Sequence, residues 1–147
     1  MKKLILIIFV LAAVYFVATE SGLFITQRTG VVDTISGGDQ ILTDAFVNHR
    51  SNVQVQGVGT VIKILADDND GSRHQRFIIQ LESGQTLLIA HSTDISSRID
   101  SLKEGDRVEF YGEYEWNSQG GVIHWTHHDP AHSHLSGWVK HNGRIYQ

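Results

Sequence analysis

The chain has 147 residues, no cysteine and a formal net charge of −4 at pH 7. A chain of this length buries one core of ordinary size, so we expect a single domain plus whatever the first forty or so residues add. The lack of cysteine excludes disulfides and thiolate chemistry. The acidic balance disfavours a nucleic-acid partner, because such binding depends on cations that neutralise phosphates.

The N-terminus carries a targeting or anchoring pattern. Lys2 and Lys3 precede an unbroken apolar run from Leu4 to Ala18. Such a run behind two lysines is typical of a secretory signal or a short membrane anchor, with the lysines kept in the cytoplasm. We expect residues 1–25 to anchor the protein in the inner membrane facing the periplasm, or to yield a secreted protein if the segment is cleaved. The membrane is thus the partner that the sequence indicates, and the oligomeric state is not predicted.

A linker and a short helix are predicted to lead into the domain. Residues 26–38 are polar and contain glycine, which is typical of a linker. Asp39 is a suitable helix N-cap, and apolar residues at helical spacing follow it as far as about Arg50. The residues at this spacing are Ile41, Leu42, Ala45 and Phe46. We therefore expect a domain over residues 39–147 that begins with an amphipathic helix.

From residue 53 the apolar period changes to two, which predicts strands. The five predicted strands cover residues 53–65, 75–81, 86–91, 108–116 and 122–126. Gly57 and Gly59 favour a bulge or sharp bend in the long first strand. Between the third and fourth strands, Ile95, Ile99 and Leu102 predict a short helix, which Asp94 caps.

The fourth predicted strand has the most regular alternation. Its apolar face is predicted to point inward and comprises Val108, Phe110, Gly112, Tyr114 and Trp116. The opposite face carries Glu109, Glu113 and Glu115. We interpret these glutamates as a solvated face, with paired carboxylates as the alternative.

The order of elements predicts the fold class. Three strands, a helix and two further strands, with a long bent first strand, match an all-β, five-stranded OB-fold-like barrel. Beyond the barrel, Asn142-Gly143 predicts a type I′ turn inside an extra hairpin from Trp138 to Tyr146.

The histidine-rich stretch from His124 to Pro130 contains three of the nine histidines. If the fifth strand continues through it, His124 and His128 share one face while Trp125 points into the barrel. His91 ends the third strand, and we expect it to approach them. The sequence therefore places a candidate site at this end of the barrel.

Three interpretations of the histidine cluster stay open. A zinc ion would take His124, His128 and Asp129 together with a further histidine. The candidates for that further ligand are His132, His134 and His141. A metal-free site would use histidine as acid or base. In the structural interpretation the imidazoles bind backbone atoms in a loop held by Pro130. The spacing matches no standard zinc motif, so no cofactor is firmly implied.

Three motifs carry a resemblance to a known family. They are residues 112–117 (GEYEWN), 120–130 (GGVIHWTHHDP) and 137–147 (GWVKHNGRIYQ). With them the chain resembles a bacterial family of small exported proteins, a domain of unknown function marked by a His-Trp-Thr-His motif. The resemblance covers roughly Gln54 to Gln147. It implies export and a domain boundary, and it supplies no activity.

A looser similarity, of architecture only, is to OB barrels of the staphylococcal nuclease class. That resemblance implies clustered carboxylates for calcium and two arginines for phosphate. Arg73, Arg76 and Glu113 are the candidates here, without a matching motif.

We expect the module to bind a small or oligomeric ligand at the barrel face without catalysis. The expected ligand-binding residues are Arg73, His74, Arg76, His91, His124 and His128. The alternative is a metal- or histidine-dependent hydrolase of nuclease or phosphodiesterase type, with Arg76, His91 and His124 as candidate catalytic residues. A structural envelope protein is the third possibility.

Overall fold

The computed structural model describes residues 31–147, with side chains from residue 37 onward. It contains one helix, α1 (Val31–Val47), followed by seven strands. The strands are β1 (Val53–Ile64), β2 (His74–Gln80), β3 (Thr86–Ser92), β4 (Arg107–Glu115), β5 (Val122–His124), β6 (Trp138–His141) and β7 (Arg144–Tyr146). Among these residues no helix is both long and apolar enough to cross a membrane. The anchor expected at residues 1–25 lies outside the described part.

Five strands close into a barrel, which confirms the expected all-β class. The order is β1-β2-β3-β5-β4, and β4 returns to pair with β1. The pairing of β3 with β5 is parallel, and the other pairings in the barrel are antiparallel. One edge of β4 is shared, because its end pairs with β5 and its beginning pairs with β6.

Strand β1 belongs to both sides of the barrel, pairing with β4 along its first part and with β2 along its last. The register changes between Val61 and Lys63, where the strand passes from one partner to the other. The bulge expected at Gly57 and Gly59 is therefore displaced towards the end of the strand. Gly57 serves close packing instead, since a Cβ there would lie 2.6 Å from the ring of Phe110.

Helix α1 is longer than the sequence predicted. Residues 31–38, expected to form a linker, lie within α1, and Asp39 sits inside the helix rather than at its N-cap. The glycines are explained by packing, because a Cβ at Gly38 would lie 2.0 Å from the carbonyl oxygen of Gln56. Only glycine lets the helix come this close to β1. Two residues of the predicted apolar face, Leu42 and Ala45, are fully buried against the barrel.

The helix expected between β3 and β4 is absent, and the chain runs there through turns. Ile99 is fully buried, as its apolar spacing suggested. Its backbone N–H donates to the side-chain oxygen of Gln75 at 2.8 Å, and its C=O accepts from the Gln75 amide at 3.1 Å. Because a strand side chain satisfies both backbone groups, a helical hydrogen-bond ladder is not needed. Asp94, the expected cap, instead accepts from Arg73.

Alternation along the strands separates the core from an outer face. The inward residues of β4 predicted from the sequence are buried: Val108, Phe110, Gly112 and Tyr114. On the outside of the barrel, Ile78 pairs with Leu88, and Leu88 pairs with Val122. These three residues, only half-buried, form an apolar row across β2, β3 and β5.

The C-terminal hairpin forms as predicted. β6 and β7 are antiparallel, with Asn142 and Gly143 between them. Both turn residues have positive φ, 49° and 79°. This is the geometry that a type I′ turn requires and that Asn-Gly supplies at low cost.

Candidate functional site on the outside of the barrel

Strand β5 ends at His124, two residues earlier than expected. Trp125 adopts a left-handed backbone conformation with φ 53°, so the strand alternation stops there. Thr126 and His127 are buried, whereas His128 is exposed. The expectation that His124 and His128 share a strand face is therefore wrong.

His91 lies inside the barrel and is fully buried. Its Nε2 lies 3.3 Å from the carbonyl oxygen of Ser97 and its Nδ1 lies 2.9 Å from the hydroxyl of Thr126. Since a carbonyl only accepts, Nε2 carries the proton and Nδ1 accepts from Thr126. Burial lowers the pKa of His91 to about 4, so the ring is neutral at pH 7. His91 thus joins β3 to the segment after β5 instead of meeting His124 on the outside.

Asp129 organises the loop that follows β5. One carboxylate oxygen accepts from the backbone N–H of Ala131 at 2.9 Å. The other accepts from the N–H of His134 at 2.7 Å and from the N–H and hydroxyl of Ser133. Burial opposes the charge, but these hydrogen bonds outweigh it and lower the pKa of Asp129 to about 2. Because its oxygens are occupied in this way, the predicted zinc ligand set of His124, His128 and Asp129 is not assembled.

The loop returns His134 to the barrel wall. Its Nε2 lies 2.7 Å from Oε2 of Glu113, and its Nδ1 donates to the carbonyl of Leu135 at 2.8 Å. Its ring stacks on Trp125 with centroids 4.2 Å apart and planes inclined by 8°. Burial opposes protonation, but the hydrogen bonds to Glu113 and Leu135 prevail and raise the pKa of His134. Both acceptors are oxygen atoms, so the protonated ring donates from both nitrogens.

Glu113, Glu115 and His124 converge beside this contact, and we name them the Glu-His cluster. Nε2 of His124 lies 3.3 Å from Oε1 of Glu113 and 3.9 Å from Oε1 of Glu115. This nitrogen is buried and makes no hydrogen bond. Burial lowers the pKa of His124, although the two glutamates oppose the shift. The cluster combines one imidazole and two carboxylates, all of which are possible metal ligands.

The sequence named His124 but assigned the two glutamates to a solvated face. The register of β4 on β5 places Glu113 directly opposite His124. Pairing between strands across a loop is not determined by local alternation, so only two weak signals were present. These were the single face shared by the glutamates and their position one strand before the histidines.

A pocket of about 270 Å³ opens next to the cluster, where β2 begins and β3 and β5 end. Its walls include His74, Ser92, His124, Trp125 and His127. Trp125, expected in the core, is half-buried and forms part of this wall. His127 is a further lining residue that the sequence did not single out for binding. Of the six predicted ligand-binding residues, His74 and His124 are the two that line this pocket.

The two predicted arginines are held by neighbouring segments. Nε of Arg73 donates to Asp94 at 2.6 Å. Arg76 donates to the carbonyl of Ala66 at 3.0 and 3.2 Å and lies 3.7 Å from Asp68. Both side chains therefore tie loops to β2 and are not among the residues that line the pocket. The hydrolase set proposed from the sequence, which combined Arg76 and His91 with His124, is not brought together.

Comparison with known families places the chain in one of them. Residues 25–147 match the model of a family described as a protein of unknown function, DUF3465. The chain belongs to the DUF3465 family. The match starts before the region of resemblance identified from sequence motifs, so the DUF3465 domain includes α1. No curated protein matches the chain.

Proposed function

We propose that this DUF3465 protein is an exported, membrane-anchored OB-fold-like module that binds a small or oligomeric ligand without catalysis. The observation that carries the proposal is the pocket lined by His74, His124, Trp125 and His127. It lies at the end of the apolar row on β2, β3 and β5. OB-fold barrels bind oligonucleotides and oligosaccharides on the corresponding strands, and the strand order here agrees with that fold. The comparison of ligands is an analogy of fold.

The chemistry of the pocket favours an oligosaccharide over a phosphate-bearing ligand. No lysine or arginine lines this pocket in the described part of the chain. Arg73 and Arg76, the nearest arginines in sequence, are bound to acceptors of their own. Imidazole and hydroxyl groups suit the hydroxyls of a sugar, and the indole of Trp125 offers a flat face beside them.

Calorimetric titration of the full-length chain tests this function. The probes are short oligosaccharides of glucose and of N-acetylglucosamine, with a deoxythymidine oligonucleotide of similar length for comparison. We expect an oligosaccharide to bind and His74→Ala to weaken binding about 10-fold, the effect of one lost hydrogen bond. His132→Ala, in the exposed part of the loop, is the matched control and should bind normally. Equal affinity in His74→Ala, or binding of the oligonucleotide alone, contradicts the proposal.

The proposed export and anchoring depend on Lys2, Lys3 and the apolar run that follows them. We expect the chain to stay with membranes washed in alkaline carbonate and to be digested by protease added from the outer side. Release of the full-length chain by the carbonate wash contradicts the anchor. Protection from the protease in intact, outer-permeabilised cells contradicts export.

A further inference from the structure

The Glu-His cluster is built on strands rather than on loops. Glu113 and His124 are direct partners across the antiparallel β4–β5 pair, and Glu115 lies on the same face of β4. The side chain of Glu113 is only 16% exposed. Groups held by paired strands keep their relative positions, so a ligand would not need to order them on binding.

The spacing of the three donor atoms suits a single small cation. One ligand atom from each residue lies within 4.8 Å of the other two. Two nitrogen or oxygen ligands of a tetrahedral zinc ion, each about 2.0 to 2.2 Å from the metal, lie roughly 3.3 to 3.6 Å apart. The separations from His124 Nε2 to the two glutamates, 3.3 and 3.9 Å, are close to that range.

Nε2 of His124 gives a second, independent indication. It is buried, it faces two carboxylates and it has no hydrogen-bond partner. A buried polar atom without a partner costs free energy, so such atoms in proteins usually belong to a site. A cation between this nitrogen and the two carboxylates would satisfy all three groups at once.

His134 supplies the outer support that metal sites commonly have. It contacts Oε2 of Glu113, which leaves Oε1 facing His124. Ligating carboxylates are usually fixed by such hydrogen bonds from a neighbouring residue. The backbone of His134 is in turn held by Asp129. The loop that the sequence marked as the metal site thus contributes the residue that orients a ligand.

We propose that Glu113, Glu115 and His124 bind one divalent transition-metal ion, with His134 as the positioning residue. Imidazole together with carboxylates suits zinc, whereas magnesium and calcium prefer oxygen ligands alone. Three protein ligands leave a coordination position open. Because His124 also lines the pocket, that position lies at the edge of the pocket. The inference stands whether or not the pocket binds a sugar.

Titration of the full-length, metal-stripped chain with Zn²⁺ tests the site. We expect one strong site per chain. Glu113→Gln, Glu115→Gln and His124→Ala should each weaken binding at least 10-fold. Glu109→Gln is the matched control, since Glu109 lies on the same face of β4 but pairs with Lys140 at 3.0 Å. In the unchanged protein, the ring-nitrogen NMR signals of His124 should shift with one equivalent of Zn²⁺, which needs no variant to fold.

Two further variants test the role of His134. His134→Gln keeps a donor for Glu113 and should retain affinity within a few-fold, whereas His134→Leu removes the donor and should lose about 10-fold at an equal unfolding midpoint. Absence of zinc binding overturns the proposal. It is also overturned if binding persists in His124→Ala but disappears in His128→Ala or His132→Ala, which would mark adventitious binding by exposed histidines.

Discussion

Glu113 and His124 face each other across two paired strands, with 3.3 Å between the nearest carboxylate oxygen and imidazole nitrogen. Their strands belong to the barrel wall, while the histidine-bearing loop beyond them reaches back through His134 to the same carboxylate. The stability of the wall and the order of that loop can be tested separately from ligand binding.

His91 should make the protein less stable in mild acid. Burial holds the pKa of His91 at about 4, below the ordinary value of 6.5, so the unfolded chain takes up a proton that the folded chain refuses. The contribution is complete above pH 6.5 and is lost as the pH falls towards 4, by roughly 3 kcal/mol in all. Urea unfolding at a series of pH values measures it. The slope over this interval should be smaller in His91→Gln and unchanged in His132→Gln; equal slopes in all three proteins refute the assignment.

Gly121→Ala should destabilise the barrel by about 2 to 4 kcal/mol. Gly121 has φ 110°, and a Cβ there would lie 2.0 Å from the ring of the fully buried Tyr114. Gly84 also has positive φ, 86°, but open space around it. Gly84→Ala should therefore cost only about 1 kcal/mol, the price of the backbone conformation. Chemical denaturation compares the two variants, and equal losses would show that the contact with Tyr114 is unimportant.

Gln75→Leu should destabilise the protein by about 2 to 4 kcal/mol, although leucine is the more apolar residue. Gln75 is buried and satisfies both backbone groups of Ile99, which leucine would leave without partners. Gln80→Leu, at an exposed position on the same strand, is the control and should be nearly neutral. A stable Gln75→Leu protein would mean that water or a shifted backbone replaces these bonds.

Asp129→Asn should loosen the loop without unfolding the barrel. The amide group of asparagine turns a donor towards N–H groups that now share a carboxylate, those of Ser133 and His134. Amide hydrogen exchange of these two residues should accelerate, while that of the buried Ile89 stays slow. Asp100→Asn, at a side chain that is 86% exposed, is the control. Unchanged exchange in Asp129→Asn would show that the carboxylate does not hold the loop.

Acidity should act on the same loop. Hydrogen bonds outweigh burial and hold the pKa of Asp129 at about 2, so the carboxylate is charged at all ordinary pH values. A depressed pKa stabilises the folded state above the unfolded value near 4, and this contribution is lost as the pH falls through about 2. Exchange at Ser133 and His134 should therefore rise steeply only in strong acid, once the general base dependence of exchange is subtracted.

The barrel strands and the final turn followed from local patterns. Alternation along β4 predicted Val108 and Phe110 inside, and Asn142-Gly143 predicted its turn, because each depends only on neighbours in sequence. The expected helix after β3 was wrong because Gln75, distant in sequence, binds the backbone of Ile99. Local spacing alone does not reveal such a partner.

The candidate site was harder to predict than the barrel. His74 and His124 were identified because histidine is rare and chemically distinctive. Glu113 was underestimated because its importance comes from the strand register and from the return of His134. Trp125 was assigned to the core, but its positive φ ends β5 and turns the ring towards the pocket.

The shared edge of β4 makes the histidine loop an interchangeable part. The chain leaves this edge at the end of β5, at His124, and rejoins it at the start of β6, at Trp138. Inside the loop, the backbone N–H of Gly137 donates to the carbonyl of His127 at 2.8 Å, which closes the excursion near its base. Both ends of the loop are therefore fixed by the wall. The residues between them are open to replacement by shorter, longer or differently charged segments on an unchanged barrel.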